Sequence, residues 1–157
     1  MIRKAKVSEA WIIQNFLEDS KQHGVLPRTM AYIYSHIHDY VVADDFESAY
    51  IRECNRSIVG VASLHVCWDE VAELRSLVVK EEFRAERIGT NLVLNCLNWA
   101  KELELRRVFL LCLIPKYFKK FGFKEISRAD LPPVAWADCV GCLKFPDCDE
   151  IPMILEL

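Results

Sequence analysis

Ala72-Glu73-Leu74-Arg75-Ser76-Leu77-Val78-Val79, followed closely by Phe83-Arg84-Ala85-Glu86-Arg87-Ile88-Gly89-Thr90, reads as a strand running into a short turn that opens a helix. Such a junction is a natural anion site. The first N–H groups of a helix have no internal partner and sit at the positive end of its dipole, so a phosphate can be held there with few basic side chains. The rest of the chain decides what that site belongs to.

The chain has 157 residues, 52% of them apolar and 27% charged, which suits one globular domain over residues 1–157 with a sizeable core. Its net charge of −3 gives no reason to expect nucleic acid or a membrane surface as partner, and points to a small molecule. No apolar run approaches the roughly 20 residues that cross a bilayer. The N-terminal Met1-Ile2-Arg3-Lys4 reads as strand and not as a signal peptide, so a cytoplasmic protein is expected. Seven cysteines, an odd number, favour reduced thiols, with Cys54, Cys67, Cys96 and Cys112 acting as small hydrophobes.

Along the chain, Ile2 to Lys6 reads as an edge strand. Ser8 can cap a helix that presents Trp11, Ile12, Phe16 and Leu17 on one face and ends at Gly24. Thr29 is a candidate cap for a second helix carrying Met30, Ile33, Tyr34 and Ile37, with Arg28 in the connection before it. Strands are predicted at Tyr40–Ala43, Tyr50–Glu53, Ser57–Val66 and Val71–Val79, with a turn at Asn55-Arg56; short polar links make them an antiparallel meander. The period predicts a helix from Ile88 to Leu103, a central strand Val108–Cys112, a short helix Pro115–Phe121 stopped by Gly122, and strands at Phe123–Ile126 and Ile151–Leu157. Residues 130–150 form a cysteine-containing, turn-rich segment.

Strand, Arg-x-x-x-x-Gly and amphipathic helix in this order resemble the acetyl-CoA pyrophosphate loop of the GNAT N-acetyltransferases, whose signature Gln/Arg-x-x-Gly-x-Gly/Ala is met by Arg84 and Gly89, with Arg87 at the first glycine position. Tyr117-Phe118-Lys119-Lys120-Phe121-Gly122-Phe123 is similar to the aromatic-x-x-x-Gly-Phe segment of that superfamily. The resemblance implies an α/β (α+β) fold, with a mixed, mostly antiparallel sheet flanked by helices and the cosubstrate at splayed strands four and five. It places acetyl-CoA against Leu77, Val78, Val79, Arg84, Ala85, Glu86, Arg87, Ile88, Gly89 and Thr90. Where relatives carry an acidic tyrosine this chain has Phe118; the general acid stays unassigned, with its neighbour Tyr117 as a weak candidate. On a strand Glu73, Arg75 and Leu77 share a face, so Glu73 is the candidate base, although a surface Glu–Arg charge set would read the same way.

Gly24-Val25-Leu26-Pro27-Arg28-Thr29, Ala62-Ser63-Leu64-His65-Val66, the Glu73–Val79 strand and the run from Trp136 to Glu150 together resemble short bacterial N-acetylglutamate synthases. That implies acetyl transfer to the α-amino group of an amino acid, L-glutamate foremost, as the first step of arginine synthesis. Arg28 and Arg75 would hold the acceptor's carboxylates. Leu113-Ile114, where synthases tend to be polar, and the lengthened hairpin around Asp45 to Ser48 depart from the pattern. Arg87, Phe118 and Leu113 keep open a GNAT-fold acyl-CoA-binding or regulatory protein with little turnover. Cys139, Cys142 and Cys148 could bind Zn²⁺, but the second half of a four-ligand spacing is missing, and a reduced, turn-rich lid reads as well. Oligomeric state, a homodimer included, stays open.

Overall fold

The computed structural model describes residues 1–45, 58–142 and 144–157. The predicted strand Tyr50–Glu53, the turn Asn55-Arg56, the lengthened hairpin after Asp45, Cys54 and Leu143 lie outside the described residues. Strands β2 (Tyr40–Asp44), β3 (Ile58–Trp68) and β4 (Val71–Val79) run antiparallel in sequence order as the meander predicts, and β1 (Ile2–Lys4), ahead of the first two helices, pairs antiparallel with β2. β5 (Arg107–Cys112) runs parallel to β4, and β6 (Lys124–Glu125) and β7 (Ile151–Glu156) complete a seven-stranded sheet in the order β1-β2-β3-β4-β5-β7-β6. The last strand therefore inserts between β5 and β6, leaving the two-residue β6 at the edge. Pro152 faces Leu111 in that ladder.

Helices cover both faces. α1 (Ala10–Asp19) and α2 (Met30–Ser35) pack on one face, with Ile13, Leu17, Ile33, Tyr40, Val42 and Val61 buried between. α3 (Ile88–Glu102) covers the other over Val41, Leu64, Leu74, Leu92, Cys96 and Leu110. β2 shows the period of two behind this, since Tyr40 and Val42 serve one core and Val41 and Ala43 the other. Short α4 (Pro115–Lys119) ends at Gly122, whose φ of 95° takes the left-handed conformation that closes the turn. α5 (Ala135–Val140) is fixed through Ala135, Leu131, Phe109 and Val71, on the same face as α1 and α2.

Three local expectations change. α1 stops at Asp19 and a separate 3₁₀ turn, Lys21–His23, leads to Gly24. A 3₁₀ turn, Val7–Glu9, precedes α1 and contains Ser8, so the helix starts without a side-chain cap; Trp11, which helical spacing sets well away from the buried Phe16 and Leu17, is exposed, and Ala10 and Ile13 share their face instead. On α2, capped as expected by Thr29, which accepts from the Tyr32 N–H at 3.2 Å, Tyr34 points outward and Tyr32 faces inward.

Candidate active site

β4 and β5 share a ladder only at Val71/Arg107, Ala72/Val108 and Glu73/Phe109. Beyond Glu73 the strands part, and the β4 edge from Leu74 to Val79 has no β5 partner. On its other side β4 carries an extra residue. Val61 pairs with Val78 and Ser63 with Arg75, and Ser76 takes φ 58° to absorb the mismatch. A one-residue bulge reverses every side chain that follows. Glu73 and Arg75 face α2 and α5, whereas Leu77 and Val79 turn to the α3 core. Leu77 thus does not share the face of Glu73 and Arg75 as the unbroken alternation predicts. The bulge and the gap together leave β4 backbone groups free to meet a ligand between the strands.

At the end of β4, a 3₁₀ turn over Glu81–Glu86 passes to α3 through Arg87, whose φ of 59° and ψ of 14° are left-handed. Arg87 so fills a glycine's conformational role, with its side chain exposed. Ala85 and Glu86 are exposed beside it, and Arg84 Nε donates to the Val79 carbonyl at 3.3 Å, bracing the turn. Ile88, Gly89 and Thr90 begin the helix. Gly89 makes a close approach possible, because a Cβ there would lie 2.9 Å from the Tyr117 hydroxyl. Tyr117 therefore stands against the first turn of α3, where burial raises its pKa and the Thr90 side chain lowers it less. Lys120 donates to Thr90 Oγ1 at 3.0 Å and adds a cation at the same helix start.

On the α2 and α5 side, a cavity of about 160 Å³ is lined by Tyr32, His65, Cys67, Glu73, Arg75 and Asp138, among others. Burial raises the Glu73 pKa more than the neighbouring Arg75 lowers it, so its carboxylate is a stronger base than usual. Arg75 Nη1 lies 3.2 Å from Glu73 Oε2 and 2.8 Å from Asp138 Oδ2. Arg28 reaches the same Asp138 oxygen at 3.0 Å, from the turn before α2. Its Nε is buried and, among the described residues, has no hydrogen-bond partner. Tyr32 unites the group, since Arg28 lies over its ring at 4.3 Å and Arg75 donates to its hydroxyl. Burial raises the Cys67 thiol to about 12, with Glu73 reinforcing the shift, so that thiol stays protonated at neutral pH.

The geometry thus brings Arg28, Glu73 and Arg75 together, and sets Leu77–Val79 and Arg84–Thr90 along the neighbouring cleft. Sequence reasoning missed Tyr32, His36, His65, Cys67 and Asp138. His65 was within reach of it, being the cross-strand partner of Glu73; Asp138 was not, because only the docking of α5 brings it near. Cys139, Cys142 and Cys148 are free thiols that do not form a metal cage. Among the described residues the group of ligating side chains with donor atoms within 4.8 Å of one another is His36, Asp39 and His65. Cys139 lies in the last turn of α5, Cys142 follows just past its end, and Cys148 Sγ donates to Glu150 Oε2 at 3.7 Å.

Residues 11–123 match the acetyltransferase (GNAT) family. The chain belongs to the GNAT acetyltransferases. An N-acetyltransferase from Chlorobaculum tepidum, described as uncharacterized, is 34% identical over 99% of this chain and 96% of its own. The amino-acid acetyltransferase of Mycobacterium tuberculosis is 26% identical over 81% of this chain and 70% of its own length. The fold superposes on a Mycobacterium tuberculosis structure in complex with CoA, with a TM-score of 0.79 at 24% identity, over 100% of this chain and 99% of that one. It also superposes on N-acetylglutamate synthase from Neisseria gonorrhoeae, complexed with coenzyme A and N-acetyl-glutamate, with a TM-score of 0.84 at 19% identity. That match covers 100% of this chain but 35% of the synthase, so this chain corresponds to about a third of it. The parting of β4 from β5 beyond Glu73 fits the GNAT fold.

Proposed function

We propose that this GNAT protein transfers the acetyl group of acetyl-CoA to the α-amino group of an amino acid, L-glutamate foremost, the first step of arginine synthesis. The observation that carries this reading is the convergence of Arg28 and Arg75 on one carboxylate oxygen, that of Asp138, beside the buried base Glu73. Asp138 acts as an internal stand-in for an acceptor carboxylate, and the unpartnered Arg28 Nε offers one more donor to the same kind of group.

Each residue then has a defined task. Arg28 and Arg75 orient the acceptor with its amine toward the cleft. Glu73 takes a proton from the acceptor's ammonium, either directly or through one water, and leaves the amine lone pair free to attack. The exposed backbone edge of Leu77–Val79 donates N–H groups to the oxygen on which negative charge develops. Arg84 to Thr90, with Lys120, hold the pyrophosphate at the start of α3. Tyr117, protonated at neutral pH, is the nearest candidate to return a proton to the departing thiolate.

A binding protein with little turnover is the second reading, favoured by Asp138 already occupying both arginines. Incubation with ¹³C-acetyl-CoA and L-glutamate separates the two. The proposal expects the label as an amide on the α-nitrogen, whereas unlabelled glutamate beside intact acetyl-CoA would leave the binding role.

A further inference from the structure

His36, Asp39 and His65 come from separate parts of the fold. His36 caps the C-terminal end of α2, Asp39 closes the adjoining 3₁₀ turn Ile37–Asp39, and His65 projects from the middle of β3. One ring nitrogen of each histidine and one Asp39 oxygen nevertheless lie within 4.8 Å of one another. His36 Nδ1 is engaged at 2.9 Å by both the Tyr32 carbonyl and Ser35 Oγ, which fix the ring at that nitrogen. The His36 ring is held further by stacking on Tyr32, with centroids 4.0 Å apart and planes 12° from parallel. His65 Nδ1 lies 2.7 Å from Asp39 Oδ2.

An ion pair between His65 and Asp39 would account for those two residues alone. It does not involve His36, whose ring is tilted at 54° to that of His65 with centroids 5.1 Å apart. Two oriented imidazoles and one carboxylate make the donor set of a borderline divalent cation such as Zn²⁺ or Co²⁺, in preference to Mg²⁺ or Ca²⁺, which favour all-oxygen cages. The backbone carbonyl behind His36 is the outer partner that ligating histidines commonly use to fix the ring. We propose that His36, Asp39 and His65 form a divalent-cation site of the Zn²⁺ class, with its open position toward the cavity that contains Glu73 and Arg75.

His36 and His65 line that cavity together with Glu73. A bound cation puts positive charge next to the place where the acceptor's ammonium must sit, so occupancy inhibits transfer by competing with the acceptor and not with acetyl-CoA. This kinetic consequence rests on the amino-acid acetyltransferase reading; the binding itself does not.

The test is titration with Co²⁺ and Zn²⁺, followed by calorimetry and Co²⁺ absorption, on protein carrying Cys139→Ser, Cys142→Ser and Cys148→Ser so that those thiols cannot contribute. The expected result is one equivalent bound with visible ligand-field bands and no thiolate charge-transfer band, and at least a ten-fold loss of affinity in His36→Ala and in His65→Ala. Circular dichroism checks that each variant is folded, and Asp39→Asn, which keeps the side chain's shape, provides the same test if a histidine variant unfolds. No stoichiometric binding, binding with a thiolate band, or affinity unchanged by the histidine and aspartate variants would each overturn the proposal. Loss of binding in the variants together with inactivity toward every amino acid would retain the metal site and remove only its kinetic consequence.

Discussion

The guanidinium of Arg75 stands 3.2 Å from the carboxylate of Glu73, two positions along the same face of β4. The arginine favours the charged carboxylate while burial opposes it, and burial prevails. The outcome is a carboxylate of raised pKa held beside a guanidinium, the pair to which the proposal gives the roles of base and acceptor clamp. Glu73→Gln keeps the shape and the hydrogen-bonding reach but removes the base, so kcat should fall by about 10²-fold or more with acetyl-CoA affinity unchanged. Steady-state kinetics at saturating acceptor, with the affinity for CoA measured separately, check this. An unchanged kcat would move the base elsewhere.

Arg28 and Arg75 should show themselves in the acceptor's KM. Truncating a desolvated charged contact costs about 2–5 kcal/mol, largely because its partner is left unpaired, whereas an exposed surface pair contributes little. Both arginine side chains are close to buried, at 12% and 11% exposure, with Asp138 at 44%. The half-exposed Asp138 can therefore swing aside for an incoming carboxylate while the arginines stay. Arg28→Ala and Arg75→Ala are each expected to raise the acceptor's KM at least ten-fold and to leave that of acetyl-CoA within about two-fold. Equal changes in both constants would indicate a general structural role.

Arg87 holds a left-handed conformation at φ 59° that costs a non-glycine residue about 1–2 kcal/mol, part of which glycine returns through its freedom in the unfolded chain. Arg87→Gly should therefore raise stability by roughly 0.5–1 kcal/mol in urea unfolding. On the proposed reading the helix N–H groups hold the pyrophosphate, so CoA affinity should stay within about three-fold of the parent. A loss much larger than that would make the guanidinium itself the phosphate ligand.

A pH prediction follows from Arg3, whose guanidinium bridges Glu9 at 2.6 Å and Asp44 at 2.8 Å. Burial opposes ionisation of Glu9, but hydrogen bonds from Arg3 and the Lys6 backbone, with both cations nearby, outweigh it and lower its pKa. A carboxylate whose pKa is lower in the folded state stabilises fully above its unfolded value of about 4.3 and loses that contribution as the pH falls through the folded value. The stability gap between the parent and Glu9→Gln should thus be widest near neutrality and shrink toward about pH 3. Urea midpoints across that range measure it; a gap constant with pH would contradict the assignment.

Much of this architecture is legible in the chain because it rests on local rules. The alternation in β4, the Thr29 cap and the strand-to-helix junction at Arg84–Thr90 give the meander, the second helix and the turn that opens α3. The convergence of Arg28 and Arg75 follows from where those elements lie. What escapes is either register or long-range docking. The bulge at Ser76 lacks the glycine that would mark it, so an unbroken alternation puts Leu77 on the wrong face. Trp11 is grouped with Phe16 and Leu17 as an apolar residue, but 100° per residue sets it well off their face, and Ala10 and Ile13 fill the inward positions. Asp138 reaches the arginines only because Ala135 and Leu131 seat α5 against Phe109, and β7 enters the sheet beside β5 through contacts distant in sequence.

The central claim is that paired arginines beside Glu73 select a dicarboxylic amino acid as acetyl acceptor. Thiol release from acetyl-CoA, measured across the common amino acids at matched subsaturating concentration, tests it most directly. L-glutamate is predicted to give by far the highest kcat/KM, with glutamine poorer by at least about ten-fold because a site built for a second carboxylate is left with an unpaired guanidinium. Equal rates with glutamate, glutamine and an apolar amino acid would contradict it.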